Sequence, residues 1–155
     1  MDELDYKLLD DLSKNSRVSY AELERKYNLS RVCIRERINN LVDEGVIENF
    51  TININPEKLG MRLEAFFELD VKPNYLYKVA RELSEEDDVV HIFLMTGSAT
   101  LHMYVVLKDK CSLEDFLREK LYNREEIIGV DCKIILKKFK SSNNILSKLC
   151  EEKSD

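Results

Sequence analysis

The first change in the hydrophobic period of this chain limits the fold more than any other feature. Up to Gly45 apolar side chains recur at helical spacing; from Met61 to Lys72 they alternate one by one, and alternating and helical stretches then follow each other to the last strand. A period of about 3.6 residues and a period of about 2 belong to different elements. The chain is therefore read as α+β, with a helical part followed by a sheet-forming part.

In the helical part, Leu4, Leu8, Leu9 and Leu12 predict an amphipathic helix ending near Asn15. Ser19-Tyr20-Ala21-Glu22 is a capping box: the serine hydroxyl can take the amide of the third helical residue while the glutamate reaches back. The short helix it starts has Ala21, Leu23 and Tyr27 as its buried side and stops at Asn28-Leu29-Ser30. Asparagine tolerates the left-handed turn needed there, and Ser30 can cap the next helix. That third helix buries Ile34, Ile38, Leu41 and Val42 and ends at Gly45. Two helices joined by so short a turn, the second with arginines on its free face, read as a helix-turn-helix, here classed as winged-helix-like.

Facing away from Ile34 and Ile38 are Arg31, Val32, Cys33, Arg35, Glu36 and Asn39. Arginine can bridge guanine O6 and N7, asparagine can pair with adenine, and valine can touch a thymine methyl. The candidate DNA-binding set is Ser19, Tyr20, Ser30, Arg31, Val32, Cys33, Arg35, Arg37 and Asn39. A plain three-helix bundle also shows a charged face to solvent, and that is the competing reading. The charge distribution favours DNA. The whole chain carries −6, yet from Lys14 to Arg37 seven cations stand against three anions. A duplex sees only the face presented to it, so this local excess outweighs the net charge.

Residues 46–55 turn β-branched and alternating and predict a strand, broken by Pro56. From Met61 to Lys72 the alternation places Leu63, Ala65, Phe67, Leu69 and Val71 on one face. A helix follows with Leu76, Val79, Ala80 and Leu83 inward, then strands from Val89 to Met95 and Leu101 to Leu107 hinged at Thr96-Gly97-Ser98. A second helix is expected to start at Ser112 and to bury Leu113, Phe116, Leu117 and Leu121. The last strand carries Val130, Cys132, Ile134 and Leu136 inward. The order βαββαβ is the ferredoxin-like arrangement, a four-stranded sheet with both helices on one side. The middle strands are apolar on both faces, with Phe66, Ile135 and Phe139 adding to the uncovered side. Such a face marks an interface, and a second copy is the economical partner. The domains are read as 1–45 helix-turn-helix, 46–59 β-strand linker, 60–140 ferredoxin-like sensing and oligomerisation domain, and 141–155 C-terminal tail.

Other classes find little support. Cys33, Cys111, Cys132 and Cys150 lie far apart without a C-x-x-C pair and are read as thiols in a reducing compartment. His91 and His102 fall within strand patterns with no ligand spacing around them, so neither a metal nor a cofactor is expected. There is no apolar run of about 18 residues to cross a membrane. Asp2, Glu3 and Asp5 give the wrong charge for a secretory signal, so the expectation is a cytoplasmic protein.

The stretch Leu29-Ser30, Ile34, Arg37-Ile38, Leu41, Gly45-Val46-Ile47, Phe50 and Leu59-Gly60, with Leu4-Asp5 and Arg17-Val18-Ser19 before it, resembles the Lrp/AsnC family of feast/famine regulators. The resemblance runs from about Leu4 to Lys140. It implies a transcription factor that binds double-stranded DNA, dimerises through its second domain and assembles in many members to tetramers or octamers. It also implies an effector at the loop between the second and third strands of that domain, here Thr96, Gly97, Ser98, Ala99 and Thr100. The family's T-G-x-x-D acid is Thr100 in this chain, and threonines common at the start of the last strand are replaced by Asp131-Cys132-Lys133. An amino acid or another small molecule is thus the candidate effector. An alternative from another class is an enzyme, since some Lrp-like proteins are haem-pathway decarboxylases. Against it, the hairpin lacks the dense His/Arg/Tyr set a polycarboxylate porphyrin requires, and no residue is nominated as catalytic. A third reading, an assembly module with a vestigial helix-turn-helix, conflicts with Arg31, Arg35 and Arg37.

Overall fold

The computed structural model describes residues 1–97 and 100–140. The chain divides into two units, one within 1–53 and one spanning Ile54–Phe139, each described by itself. The 141–155 tail, Ser98 and Ala99 lie outside the described residues.

The first unit is three helices: α1 (Glu3–Lys14), α2 (Tyr20–Tyr27) and α3 (Arg31–Asp43). Leu8, Leu23, Ile34 and Ile38 form its core, with Leu4, Leu12, Val18, Tyr27, Leu29 and Ile47 packed around them. The Ser19–Glu22 box forms as read, Glu22 N–H donating to Ser19 Oγ (3.2 Å) and Ser19 N–H to Glu22 Oε2 (2.8 Å). Asn28 ends α2 in the left-handed region (φ 54°) and Ser30 Oγ caps α3 by accepting from Cys33 N–H. Gly45 (φ +71°) reverses the chain, so that Ile47 N–H reaches Leu41 O at 2.9 Å and satisfies a carbonyl the helix end leaves open. Val42, expected inside, is 41% exposed: it lies on the flank of α3 beside the free face.

The second unit carries β1 (Leu63–Val71), α4 (Leu76–Ser84), β2 (Val89–Leu94), β3 (Thr100–Leu107), α5 (Lys110–Phe116, continuing as a π-helical turn through Tyr122) and β4 (Ile127–Ile134). The sheet order is β2-β3-β1-β4, antiparallel throughout, so β1 and β3 are central. Leu63, Ala65, Phe67, Leu69 and Val71 of β1 and Leu101, Met103, Val105 and Leu107 of β3 pack under Val79, Leu83, Leu113, Phe116 and Leu121. This is the ferredoxin-like βαββαβ arrangement expected.

Three expectations are corrected. The segment 46–55 is not a strand: its backbone finds no ladder partner among the described residues, and Phe50, Ile52 and Ile54 are each more than half exposed. Alternation supplies strand propensity, but a strand exists only against a hydrogen-bonded neighbour. The helix expected at Ser112 starts two residues earlier, because Asp109 is the cap and accepts from Ser112 N–H at 2.9 Å. Finally, β4 ends at Ile134, paired with Ala65 two residues short of Leu63, where the antiparallel β1 begins; Val130 and Cys132 pack on the core, but Ile134 is half exposed and Leu136 almost wholly so.

The tight turn between α2 and α3 gives a stability test. Asn28→Val forces a β-branched side chain into the left-handed region and is expected to cost about 1–2 kcal/mol, whereas Asn28→Gly should be close to neutral. Urea unfolding followed by circular dichroism reads the difference, and equal midpoints for the two variants would contradict the turn geometry.

Candidate nucleic-acid interface

Every residue of the expected DNA-binding set falls on α3, on its cap or at the start of α2, but they do not form one surface. Arg31, Arg35 and Asn39 follow one another at four-residue spacing along one exposed side of α3, with Val32 (55% exposed) beside them. These four form a continuous free face. The hydroxyls of Ser19 and Ser30 are engaged as helix caps, and Tyr20 is partly exposed at the first position of α2. Cys33 is half-buried on the flank of the helix.

Arg37 departs from the set. Two residues beyond Arg35, it is turned by about 200° around the helix axis. Its Nη1 lies 2.7 Å from Asp2 Oδ2 and 2.8 Å from Asp5 Oδ1, the acids that cap α1. Hydrogen bonds that Arg37 donates to Asp2 and then Asp5 raise the guanidinium well above its ordinary pKa, and the same Arg37 contact holds the Asp2 carboxyl below the usual carboxylate range. Sequence reasoning took Asp2 and Asp5 as acidic charge near the N-terminus, and Asp5 also as part of the family resemblance, but neither as a partner of Arg37. The D-x-x-D spacing ahead of Leu8 was the available signal, since it is a capping box with aspartate at both ends.

The basic window is thinned in the same way. Lys14 pairs with Asp10, Lys26 with Asp11, and Arg31 with Glu24 at 2.6 Å. Among the described residues Arg17, Arg25 and Arg35 form no ion pair. The Arg31–Glu24 bridge is on the surface, where such pairs contribute only about 0–1 kcal/mol, so a phosphate could compete for it.

In the second unit the outer sheet face, opposite the helices, is mixed rather than uniformly apolar. Phe66 and His102 rings lie 5.7 Å apart, and His91 stacks between Phe93 (5.8 Å) and Tyr104 (5.9 Å). Ion pairs flank this aromatic stripe. Tyr104 Oη donates to Glu64 Oε2, Lys138 Nζ lies 2.5 Å from the same carboxylate, and Lys133 bridges Glu68 and Asp131. Burial opposes the charge on Glu64, but Lys138 and Tyr104 outweigh it and hold its pKa down; burial and the Glu64 contact push the Tyr104 phenol up.

Thr96 and Gly97 of the expected effector loop are exposed, with Gly97 at φ +119°. Thr100 is buried at the start of β3, and its hydroxyl donates to Asp70 Oδ1 at 3.2 Å. Asp70 stands opposite Thr100 on one side and Gly129 on the other. A side chain at 129 would put its Cβ 2.8 Å from Asp70 Oδ2, so glycine leaves the carboxylate its place. Asp70, Thr100 and Gly129 thus line a depression of about 580 Å³ together with Glu68, His102, Val130 and Asp131. His102 Nδ1 is buried there without a hydrogen-bond partner among the described residues.

Comparison with known proteins follows the same division. Residues 64–145 match the Lrp/AsnC ligand binding domain, and residues 1–48 match a winged helix-turn-helix DNA-binding model. An HTH-type transcriptional regulator from Methanocaldococcus jannaschii is 32% identical over 145 residues, covering 94% of this chain and 98% of the relative. The HTH-type transcriptional regulator LrpA of Pyrococcus horikoshii is 33% identical, covering 90% and 99%. Escherichia coli AsnC has the same fold, with TM-score 0.85 at 24% identity over 91% of this chain and 95% of its own. So does a Neisseria meningitidis transcriptional regulator solved with L-methionine, with TM-score 0.88 at 22% identity over 96% and 99%.

Proposed function

The chain belongs to the Lrp/AsnC family, and from that premise we propose that it acts as a homodimer, reads DNA through the free face of α3 and answers to a small molecule whose ammonium group is held beside Asp70. It is a transcriptional regulator of the Lrp/AsnC type, with a helix-turn-helix and a ligand-binding domain. The observation that carries the DNA reading is Arg35: exposed, without an ion pair among the described residues, and aligned with Val32 and Asn39. Such a side chain is free to take guanine O6 and N7, with Val32 and Asn39 placed for neighbouring bases. Arg31 and the helix start at Ser30 would meet phosphates. Arg35→Ala is expected to cost about 1–3 kcal/mol of binding per subunit, with the circular dichroism spectrum unchanged. Fluorescence anisotropy on duplexes selected from a random pool tests this, and unchanged affinity at moderate salt would refute the assigned face.

The dimer is proposed to form through the outer sheet face, with tetramers or octamers as further assemblies. Supporting it, Phe93 is 49% exposed at the end of the ring stack, a large apolar surface for a solitary domain to leave open. Phe93→Glu would bury an unpaired charge between two copies. Sedimentation should then show a smaller particle than wild type at micromolar concentration; wild type sedimenting as a monomer would end the proposal.

The effector is proposed to bind at the Thr96-to-Thr100 loop, loop amides taking a carboxylate and Asp70 the ammonium. The methionine complex of the Neisseria meningitidis relative makes an amino acid the first ligand to try. We read the domain as binding, not catalytic: His91, His102 and Tyr104 are occupied in ring stacking and in a carboxylate hydrogen bond. Calorimetry against the twenty amino acids should give at least one ligand, with affinity reduced more than about tenfold in Asp70→Asn, as expected when a charge-assisted contact is lost. Equal binding by both proteins would remove Asp70 from the site.

A further inference from the structure

We propose that Arg37 is a positioning residue for DNA recognition: clamped by Asp2 and Asp5, it fixes the rotation of α3 against α1 and makes no phosphate contact of its own. The inference rests on α3 being the recognition helix.

The four carboxylate oxygens of the clamp are divided without overlap. Asp2 Oδ1 accepts from Asp5 N–H (3.0 Å) and Asp5 Oδ2 accepts from Asp2 N–H (2.7 Å), which closes the first turn of α1. The remaining oxygens, Asp2 Oδ2 and Asp5 Oδ1, both face Arg37 Nη1. One guanidinium nitrogen therefore ties the start of α1 to the middle of α3.

Burial separates this arginine from its neighbours. Asp5 is buried, at 9% exposure. A buried carboxylate needs a charge partner, and Arg37 is the cation that meets it. Moving Arg37 to a DNA phosphate would strand Asp5, whereas Arg31 can leave the half-buried, solvent-reachable Glu24 for a phosphate at little cost. The apolar packing of Leu8 on Ile34 and Ile38 holds the helices together but is not directional. The two hydrogen bonds are directional, and Arg37 lies on the flank of α3 away from Arg35. Rotation of α3 about its axis would lengthen them while it moved Arg35, Val32 and Asn39 out of register with base edges.

Salt dependence distinguishes this role from a direct contact. A cation that neutralises a phosphate contributes about −0.9 to the slope of log K against log salt, and a positioning cation contributes none. The variants are Arg37→Gln and the milder Asp2→Asn, which keeps a good cap residue on an exposed position and should leave the fold intact. Anisotropy titrations of the full chain would use a selected duplex and a scrambled one over a range of salt. For both variants the expectation is about tenfold weaker specific binding, scrambled-duplex binding within about twofold of wild type, and an unchanged slope. Loss of affinity on Asp2→Asn is the opposite of what removing a negative charge near DNA does by electrostatics alone. The proposal is overturned if Arg37→Gln lowers the slope by about one and weakens both duplexes alike. It is equally overturned if Asp2→Asn binds the selected duplex as tightly as wild type or more tightly. Should Arg37→Gln not fold, Asp2→Asn alone decides. If α3 is not the recognition helix at all, Arg35→Ala will also leave binding unchanged, which separates that failure from failure of the clamp.

Discussion

Strand β1 is the element on which the second unit depends, because it is hydrogen-bonded on both edges and used on both faces. Its inner residues, Leu63 to Val71 in steps of two, are almost completely removed from solvent under α4 and α5. Its outer residues, Glu64, Phe66, Glu68 and Asp70, supply in turn an ion-pair anchor, an aromatic platform, a second ion-pair anchor and the carboxylate beside Thr100. A slip of one residue in the pairing of β1 would exchange these two sets, burying four side chains of which three are acidic. Register here is thus strongly specified, and the outer-face chemistry is placed by the same alternation that makes the core.

The helical unit works by subtraction. Seven cations crowd the window from Lys14 to Arg37, yet acids at positions 2, 5, 10, 11 and 24 pair with four of them. What remains unpaired on the free face of α3 is a single cation, Arg35, in a short row with Val32 and Asn39 beside the Glu24-paired Arg31, rather than a broad basic patch. A short row of dissimilar side chains suits base reading, where hydrogen-bond pattern matters, better than phosphate binding, where only charge does.

Asp70 and Thr100 place a carboxylate and a hydroxyl side by side where the family motif has a single acid. The acid expected at position 100 is absent, but the ladder sets Asp70 directly opposite, and Gly129 leaves its carboxylate room. A carboxyl at 100 would face that of Asp70 at close range, and two such groups resist being charged together. A hydroxyl there donates instead, so threonine at 100 is the residue compatible with aspartate at 70.

The amino-acid sequence by itself determined what depends on local pattern. Capping of α2 by Ser19 and Glu22, the left-handed Asn28, the stop at Gly45 and the inner face of β1 were all legible, because each is set by neighbours within a few residues. The αβ class and the βαββαβ order follow from the change of period, and the exposed side of α3 from the spacing of Ile34 and Ile38. Tertiary structure decided what depends on distant partners. It withheld a strand from 46–55, whose alternation meets no ladder among the described residues, and it ended β4 at Ile134, short of the inward position expected at Leu136. It drew Arg37 away from the free face of α3 to Asp2 and Asp5, more than thirty residues earlier, and it set Asp70 against Thr100 across the sheet. Charge is written in the sequence, but which opposite charge lies within hydrogen-bond reach is fixed only when the helices and strands have packed.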